Sequence, residues 1–386
     1  MNQRDPLMPD LERNLTTEER DALDFVLGLR RRWARELYPA LEAQWAATGA
    51  TAEDHVEAAE QLHALPLYPW FSQVERYQQK MLWRAVGDAV LARRSEIETA
   101  TAAVAGRTDG GATLELDDDL ELPAWYADVD IHVQPGGVWS HDLCAHVYEL
   151  GARIVMLRDN DEYGFHSSFV RTAFPPVDGA GPQRVVDLGC GFGKSTWPLA
   201  LAYPDAEIIG IDLSAPNLRL AHAHAIERGL SIRNVQGDVS RTGLADDSVD
   251  VVTASMLLHE LPTEVLRAVL AEAVRILRPG GVLRFLEFCP TGDPVRDATV
   301  YEHGDRNNEP FFPELFDADT VGWLTDAGLT DVAWVPFDER GAGLSPDGWG
   351  DRSEWHFPWA VLRADKPAVA GTDLGESADR QMEAAR

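Results

Sequence analysis

The residues best suited to chemistry lie in one short stretch, VVDLGCGFGKST, at 185–196. Its pattern predicts a buried strand, a tight turn built on Gly189, Gly191 and Gly193, and a helix directly after it. Glycine permits the sharp turn and a close approach of the backbone to a ligand. A helix N-terminus offers free N–H groups to a negatively charged or polar group. Asp187, just before the glycines, adds a carboxylate that favours a ligand carrying a cation or an amino group.

Further carboxylates follow the next predicted strands. The segment AEIIGIDLS ends a strand at Asp212, and the segment SIRNVQGDVS places Asp238 after another. A carboxylate at such a strand tip grips the ribose hydroxyls in nucleotide-binding α/β units. A fourth strand, 249–254, then leads into a loop with His259, and the turn RPGG at 278–281 introduces a fifth. This succession predicts a nucleotide-type ligand at one edge of a parallel sheet.

Two other phosphate-binding loops do not fit these residues. A P-loop requires a glycine where Leu188 stands, and a dinucleotide fingerprint requires a glycine where Lys194 stands. The series of strands and acids instead resembles the class I S-adenosylmethionine-dependent methyltransferases over 184–364, about half of the chain. This resemblance implies an α/β fold with a Rossmann-like sheet and an antiparallel C-terminal hairpin, and S-adenosyl-L-methionine as the cofactor.

The resemblance also implies roles for particular residues. The glycine loop would wrap the methionine end of the cofactor, the acid after the second strand would hold the ribose, and the acid after the third would lie near the adenine. The cofactor-binding residues expected on this basis are Asp187, Gly189, Cys190, Gly191, Gly193, Asp212, Leu213, Gly237, Asp238, Val239 and Met256.

The candidate catalytic residues are two histidines and two glutamates. The loop LLHEL and the following strand resemble plant-type small-molecule O-methyltransferases, which implies a base at His259 and acidic partners at Glu260 and Glu287. An alternative interpretation makes His259 a loop or cofactor-shell residue. His166 is the second candidate base, in a segment where Tyr163 and Phe165 could cover the sulfonium or simply pack on the core.

Polar and aromatic residues late in the chain are candidates for acceptor binding. In the insertion after the fifth strand, Asn307, Asn308 and Glu309 could bind polar groups beside an apolar wall of Phe311 and Phe312. Trp349 and Trp355, in the loop 338–355, could line the same pocket, which would suit a ring-bearing or polycyclic acceptor.

No metal site is expected from the histidine spacing. His132, His141 and His146 are the histidines considered as ligands, but His141 and His146 are five residues apart, which separates them on a helix. No cysteine pair joins them.

The elements that must position these residues divide the chain into five parts. We expect a helical N-terminal domain at 1–105, a linker at 106–122, a connecting or lid segment at 123–180, the cofactor-binding core at 181–366, and a disordered tail at 367–386. Within the N-terminal domain, one helix is expected from 71 to about 103. Two strand-like pieces and a helix over 142–157 are expected between residues 122 and 174. Two strands, 331–337 and 356–364, should form the C-terminal hairpin.

Composition narrows the function classes. A net charge of −30 over 386 residues argues against a nucleic-acid groove and against an anionic membrane surface. Three cysteines, no leader pattern and no long apolar span indicate a soluble, cytoplasmic protein without a disulfide framework. A homodimer is a candidate assembly, since the N-terminal helices could provide a partner surface.

Three functions remain open at this point. The first is methyl transfer to oxygen or carbon of a small, aromatic or polycyclic metabolite. The second is an enzyme that binds the same cofactor but carries out other chemistry, such as a cyclisation. The third is a non-enzymatic role on a degenerate core, and the intact acids Asp187, Asp212 and Asp238 count against it.

Overall fold

The structure, a computed structural model, describes residues 8–174, 181–340, 343–350 and 352–368. The first part of the chain is helical, and a capping box between Thr16 and Glu19 starts its first helix. The helices of this part are α1 (Thr17–Arg32), α2 (Tyr38–Ala47), α3 (His55–His63), α4 (Tyr68–Leu91), α5 (Arg94–Val104), α6 (Ala124–Ala127), α7 (Cys144–Val155) and α8 (Gly164–Ala173).

In the part of the chain that the structure describes, nine strands form one sheet, in the order β1-β4-β3-β2-β5-β6-β9-β7-β8. They are β1 (Thr113–Glu115), β2 (Arg184–Leu188), β3 (Glu207–Asp212), β4 (Arg233–Gln236), β5 (Val249–Ser255), β6 (Leu277–Phe288), β7 (Thr330–Asp338), β8 (Gly343–Leu344) and β9 (Trp359–Asp365). The strands β1 to β6 are parallel, and β9 runs antiparallel to both β6 and β7. The expected sheet and its antiparallel C-terminal hairpin are confirmed.

The remaining helices cover the faces of this sheet or follow its strands. They are α9 (Thr196–Ala202), α10 (Ala215–Arg228), α11 (Thr263–Ile276), α12 (Pro294–Asn307), α13 (Phe312–Asp317) and α14 (Thr320–Asp326). The central strand β5 is buried at every position, as expected for a strand with helices on both faces. Two hydrophobic clusters lie on the two sides of the sheet. The carboxyl ends of β2, β3 and β5 therefore meet at one edge, where the site is built.

The N-terminal helices pack against α12, which belongs to the insertion after β6. Val295 and Ala298 of α12 share a hydrophobic cluster with Trp33, Leu41 and Phe71 of the N-terminal part. Buried polar contacts reinforce this packing: the Glu75 carboxylate accepts hydrogen bonds from Arg306 and contacts the His303 ring. Helices distant in sequence thus close one side of the sheet edge.

The structure corrects three expectations about the connecting segments. The linker 106–122 contains β1, which pairs with β4 and covers an edge whose backbone groups would otherwise be free. The stretch 122–174, all of it described, holds α6, α7 and α8 but neither of the two expected strands. His132 and Val133 have φ angles of 57° and 61°, and such left-handed backbone is incompatible with a strand there. The single helix expected over 71–103 is divided into α4 and α5.

Among the described residues, no helix combines the length and the apolar character that crossing a bilayer requires. The tail expected at 367–386 lies almost wholly outside the described residues.

Candidate functional site

The glycine loop between β2 and α9 adopts backbone conformations that other residues disfavour. Gly189, Gly191 and Gly193 have φ angles of 67°, 53° and 93°. A Cβ at Gly189 would lie 2.7 Å from the Leu257 side chain, whereas a Cβ at Gly191 would meet no atom within 4 Å. Gly191 therefore faces open space at the sheet edge, and its backbone is free to approach a ligand.

The Asp187 carboxylate is fully buried beneath this loop. One oxygen, Oδ2, accepts hydrogen bonds of 2.7 Å from the hydroxyls of Ser195 and Thr196. The other, Oδ1, has no hydrogen-bond partner among the described residues. Burial raises the pKa of Asp187 to about 6, although both hydroxyls lower it. A buried carboxylate oxygen without a hydrogen-bond donor suits a ligand that brings a cationic or amino group.

The Asp212 carboxylate, at the end of β3, fixes the loop from the other side. It accepts hydrogen bonds from the backbone N–H groups of Gly191, at 2.8 Å, and Ser214, at 2.7 Å. Burial raises the pKa of Asp212, and these two N–H groups oppose the shift. Tyr126 lies close by, and burial together with the Asp212 charge raises the pKa of that phenol well above its ordinary value.

Gly189, Gly191, Asp212 and Tyr126 line a cavity that we call the nucleotide cavity, whereas Asp187 lies beneath the loop and is not among the described lining residues. The apolar walls of this cavity come from both the sheet edge and the segment that precedes the sheet. The lining residues include Trp125, Tyr126, His132, Trp139, Tyr148, Gly189, Gly191, Asp212, Leu213, Val239, Met256, Glu260 and Phe311.

The residues present fit S-adenosylmethionine. The open space at Gly191 admits a ligand against the backbone. The buried Asp187 Oδ1 lacks a hydrogen-bond donor within the described chain. The Asp212 carboxylate stands at the tip of the second core strand, where it could receive the ribose hydroxyls. Met256 lines the same space at the end of β5.

Three predicted cofactor residues take supporting positions. Cys190 is buried under the loop, and burial raises the pKa of its thiol well above the usual value. The Gly237 N–H donates to the Asp212 carbonyl at 3.0 Å. Asp238 accepts hydrogen bonds from the backbone and hydroxyl of Ser240, while its neighbour Val239 lines the cavity. The cofactor contact predicted for Asp238 stays a prediction.

A second cavity, the acceptor cavity, adjoins the first. His132, Tyr148, Met256 and Glu260 line both. The other lining residues combine aromatic rings with charged groups: Arg30, Gln79, Trp83, Lys194, His259, Phe288, His303, Glu309, Phe357 and Trp359. The two cavities together provide adjoining places for a cofactor and an acceptor.

The structure brings His259, Glu260 and Glu287 together. His259 and Glu260 form a 3-10 turn after β5, and Glu287 lies on the neighbouring strand β6. His259 Nδ1 is 2.7 Å from Glu287 Oε1, and His259 Nε2 is 3.2 Å from Glu260 Oε1. Burial alone would lower the pKa of His259, but the Glu287 and Glu260 carboxylates raise it well above its ordinary value.

His166 lies apart from this group. It is buried in α8, where its Nδ1 is 3.2 Å from the Asn160 amide, and it is not among the described residues that line either cavity. Burial lowers the pKa of His166 well below its ordinary value. Phe165 packs on Phe337, and Tyr163 packs on Trp197. The geometry favours core packing over a lid for these three residues, and a catalytic role for His166 stays an unsupported prediction.

The insertion after β6 contributes less polar surface than its sequence indicates. Glu309 lines the acceptor cavity, and Phe311 lines the nucleotide cavity. The other three candidates have structural contacts: the Asn307 amide donates to Glu75, the Asn308 amide donates to the Asp130 carbonyl, and Phe312 is fully buried in the core.

The two loop tryptophans lie outside the acceptor cavity. Trp349 and Trp355 line neighbouring depressions, and Trp355 packs edge-on against Trp33, with ring centroids 5.0 Å apart. The aromatic walls of the acceptor cavity come instead from residues on other elements.

Sequence reasoning missed several residues of the acceptor cavity. Lys194 is half-buried beside Met256 and the Tyr148 ring, and burial lowers the pKa of its ammonium group to about 8. Arg30 reaches the cavity from α1. A cation inside the loop motif was a detectable signal for Lys194, whereas nothing in the order of the sequence links Arg30 to the core.

Comparison with known proteins agrees with this geometry. Residues 185–281 match the family model of a methyltransferase domain. The chain is 34% identical over 109 residues to a demethylmenaquinone methyltransferase of Thermus thermophilus, covering 28% of this chain and 49% of that protein. It is 35% identical over 131 residues to nocamycin O-methyltransferase of Saccharothrix syringae, covering 33% and 46%.

A longer match reaches a ubiquinone/menaquinone biosynthesis C-methyltransferase of Ectopseudomonas mendocina, 27% identical over 215 residues, 54% of this chain and 81% of that protein. In the two matches above, the chain spans about half the length of the relative. The family match includes the glycine loop, Asp187 and Asp212, so residues 185–281 are similar to a methyltransferase domain that uses S-adenosylmethionine as its cofactor.

Proposed function

We propose that this protein transfers a methyl group from S-adenosylmethionine to an oxygen or carbon atom of a small molecule bound in the acceptor cavity. The observation that carries this proposal is the contact between the two cavities, which share His132, Tyr148, Met256 and Glu260. An acceptor on one side of these residues can reach a methyl group on the other. Holding two reactants in this way supplies much of the catalysis in such transfers.

The lining of the acceptor cavity favours a ring-bearing acceptor with an anionic group. Aromatic side chains such as Phe288, Phe357 and Trp359 form one wall, and rings stack well on such surfaces. Lys194 and Arg30 bring two cations into the same space. The relatives named for quinone and nocamycin methylation are consistent with a small cyclic acceptor.

The chemistry requires the chain to orient the acceptor and to exclude water. When bound, the cofactor supplies a methyl group on a positively charged sulfur. An electron pair on the acceptor forms the new bond to this carbon while the sulfur–carbon bond breaks, and its electron pair stays on sulfur as S-adenosylhomocysteine. A hydroxyl acceptor must also lose its proton, so a group that accepts the proton is needed in that case.

Two side chains are candidates to accept this proton. His259 faces the cavity, and Glu287 holds its ring in one orientation. The carboxylates around His259 favour its protonated form, which cannot act as a base. Glu309 faces the same cavity, and burial raises the pKa of its carboxyl, which brings it closer to the range of a useful base. The proposal for His259 therefore gains Glu309 as an alternative.

The test is a screen of phenolic, quinone-type and carboxylate-bearing acceptors with S-adenosylmethionine. We expect one methylated product and S-adenosylhomocysteine in equal amounts, both measured by mass spectrometry. A product formed without consumption of S-adenosylmethionine would instead support the alternative, in which the bound cofactor assists another reaction such as a cyclisation. A homodimer remains a separate proposal, which sedimentation or light scattering can test on the same protein.

A further inference from the structure

Three side chains from two distant parts of the sequence lie close together between the two cavities. His132 Nε2 lies 3.3 Å from Glu260 Oε1, and His259 Nε2 lies 3.2 Å from the same oxygen. The three ligand-type atoms all lie within 4.8 Å of one another. His132 comes from the segment before the core, whereas the other two residues come from the turn after β5.

The two separations from Glu260 Oε1 match the edges of a metal coordination shell. Zinc binds imidazole nitrogen at about 2.0–2.1 Å and carboxylate oxygen at about 2.0–2.2 Å, so neighbouring ligands in a tetrahedral shell are roughly 3.3–3.5 Å apart. Two of the three separations lie within a tenth of an ångström of that range. Glu309 Oε1 lies 3.5 Å from His132 Nε2 and is close enough to join or support the set.

The carboxylate of Glu287 orients the His259 imidazole, as carboxylates commonly orient metal-binding histidines. The Glu287 carboxylate is 2.7 Å from His259 Nδ1, which turns Nε2 toward the cavity. A carboxylate behind a histidine is the usual support of a metal-binding imidazole. Within the described residues, two buried atoms of the group, His132 Nδ1 and Glu260 Oε2, have no hydrogen-bond partner.

The charge of this region also calls for a cation. The carboxylates of Glu75, Glu260, Glu287 and Glu309 are buried or nearly so around the three residues. Among the described residues they outnumber the arginine and lysine cations of the same region, which are Arg30, Arg306 and Lys194. Buried charges must be compensated by other charges. A divalent cation would supply this compensation and leave the histidines neutral, as ligands must be.

The backbone that presents His132 is strained. His132 and Val133 both have left-handed φ angles, 57° and 61°, and a β-branched residue is rarely found there. Such backbone strain is concentrated at functional sites. It places an imidazole at the boundary between the cavities.

We propose that His132, His259 and Glu260 form a binding site for a divalent transition-metal cation such as Zn²⁺. Two imidazoles and one carboxylate are a ligand set of catalytic zinc sites, which keep a further position open. Imidazole ligands favour Zn²⁺, Fe²⁺ or Co²⁺ over Mg²⁺ and Ca²⁺, which prefer oxygen. The open position would face the acceptor cavity, which all three residues line.

A metal ion at this site would also activate the acceptor, an effect that rests on the proposed methyl transfer. An acceptor oxygen bound at the open position would release its proton to solvent more readily, because a metal ion lowers the pKa of a bound oxygen ligand. The acceptor class would then be a molecule with an oxygen donor for the metal and an anionic group within reach of Lys194.

The test measures metal binding itself, without any acceptor. The full-length protein is stripped with a chelator, dialysed and titrated with Zn²⁺ by calorimetry, and its Co²⁺ form is recorded by visible absorption. We expect one Zn²⁺ per chain and the intense absorption of a four- or five-coordinate Co²⁺ site. His132→Gln and Glu260→Gln should each weaken Zn²⁺ binding roughly a hundredfold or more, since altering even the groups behind the ligands costs about 10–100-fold.

The matched control is His224→Gln. His224 is also buried between two glutamates, with Nε2 3.0 Å from Glu149 and Nδ1 3.2 Å from Glu227, but it lies on α10 away from both cavities. This variant should bind Zn²⁺ like the parent. Equal Zn²⁺ affinity in the parent and in His132→Gln, or a six-coordinate, weakly absorbing Co²⁺ form of the parent, would overturn the proposal. Because no acceptor is present, either result leaves the methyl-transfer proposal to its own test.

Discussion

The Asp212 carboxylate both shapes the glycine loop and faces the nucleotide cavity. Asp212→Asn should weaken S-adenosylmethionine binding about ten- to a hundredfold, because a hydrogen bond to a charged acceptor contributes roughly 1.5–3 kcal/mol. Calorimetric titration measures this change. Asp246→Asn is the matched control, because this carboxylate pairs with Arg275 at the surface and is not among the described residues that line either cavity. Unchanged affinity in Asp212→Asn would remove the ribose assignment.

The raised pKa of Asp187 makes the stability of the folded protein depend on pH. This pKa is raised from 3.8 to about 6 when the chain folds, so between these values the folded protein holds a proton that the unfolded chain has released. The contribution of Asp187 to stability is therefore most favourable below pH 3.8 and is lost as the pH rises through about 6. At pH 7, Asp187→Asn should raise the free energy of unfolding of the ligand-free protein by roughly 1–3 kcal/mol.

The same substitution should weaken cofactor binding, because the ligand loses the carboxylate. Urea unfolding at several pH values and cofactor titration measure the two effects. Asp250→Asn is the contrasting variant: Asp250 accepts hydrogen bonds from the backbone of Gln183 and Arg184 and pairs with Arg278, so its loss should destabilise. Equal destabilisation by both substitutions would contradict the prediction for Asp187.

Substitution of Lys194 tests whether the acceptor carries a negative charge. Lys194→Met keeps most of the side-chain volume but removes the cation that lines the acceptor cavity, so the acceptor KM should rise about ten- to a hundredfold if the acceptor is anionic. Cofactor affinity should change little. Lys80→Met, at an exposed position on α4, is the control. An unchanged KM in Lys194→Met would assign this lysine to the loop rather than to the acceptor.

At the scale of elements, one buried ionic group joins α4 to α12. Glu75 pairs with Arg306 and His303, and all three side chains are buried. Glu75→Gln leaves the Arg306 charge without its main partner and should cost about 3–5 kcal/mol of unfolding free energy. The exposed pair of Glu115 and Arg233 is the comparison, where Glu115→Gln should cost about 1 kcal/mol or less. Similar losses in urea unfolding would show that the α4–α12 contact is not critical.

At the scale of the whole molecule, the N-terminal helices complete the acceptor cavity. Arg30, Gln79 and Trp83 line it from α1 and α4, whereas residues after Gly106 supply the nucleotide cavity. Removing residues 1–105 should therefore abolish methyl transfer even in a preparation that binds S-adenosylmethionine. The measurement compares turnover and cofactor affinity in the same truncated protein. Methyl transfer at the full-length rate would assign the helices to another role, such as assembly.

The sequence determined the parts of this protein that depend on local order. The strand–glycine–helix pattern at 185–196, the acids that end the strands and the C-terminal hairpin all follow from residue type and short-range spacing, and the sheet confirms them. Parallel strands bring their carboxyl ends to one edge, so Asp187, Asp212 and His259 had to lie near one another. His259, Glu260 and Glu287 were correctly grouped because β5 and β6 are neighbours.

Only the tertiary structure decided which distant groups join them. His132 lies beside Glu260 across 128 positions of the chain because a strained turn before the core folds over the sheet edge. Helices packed against α12 bring Arg30 and Trp83 into the acceptor cavity, a contact set by side-chain packing rather than by any local pattern. Packing of α8 on the core buried His166, and pairing with β4 added β1 to the sheet. A single sequence does not show which side chains are buried together. Only the folded chain brings His132, His259 and Glu260 into one charged site.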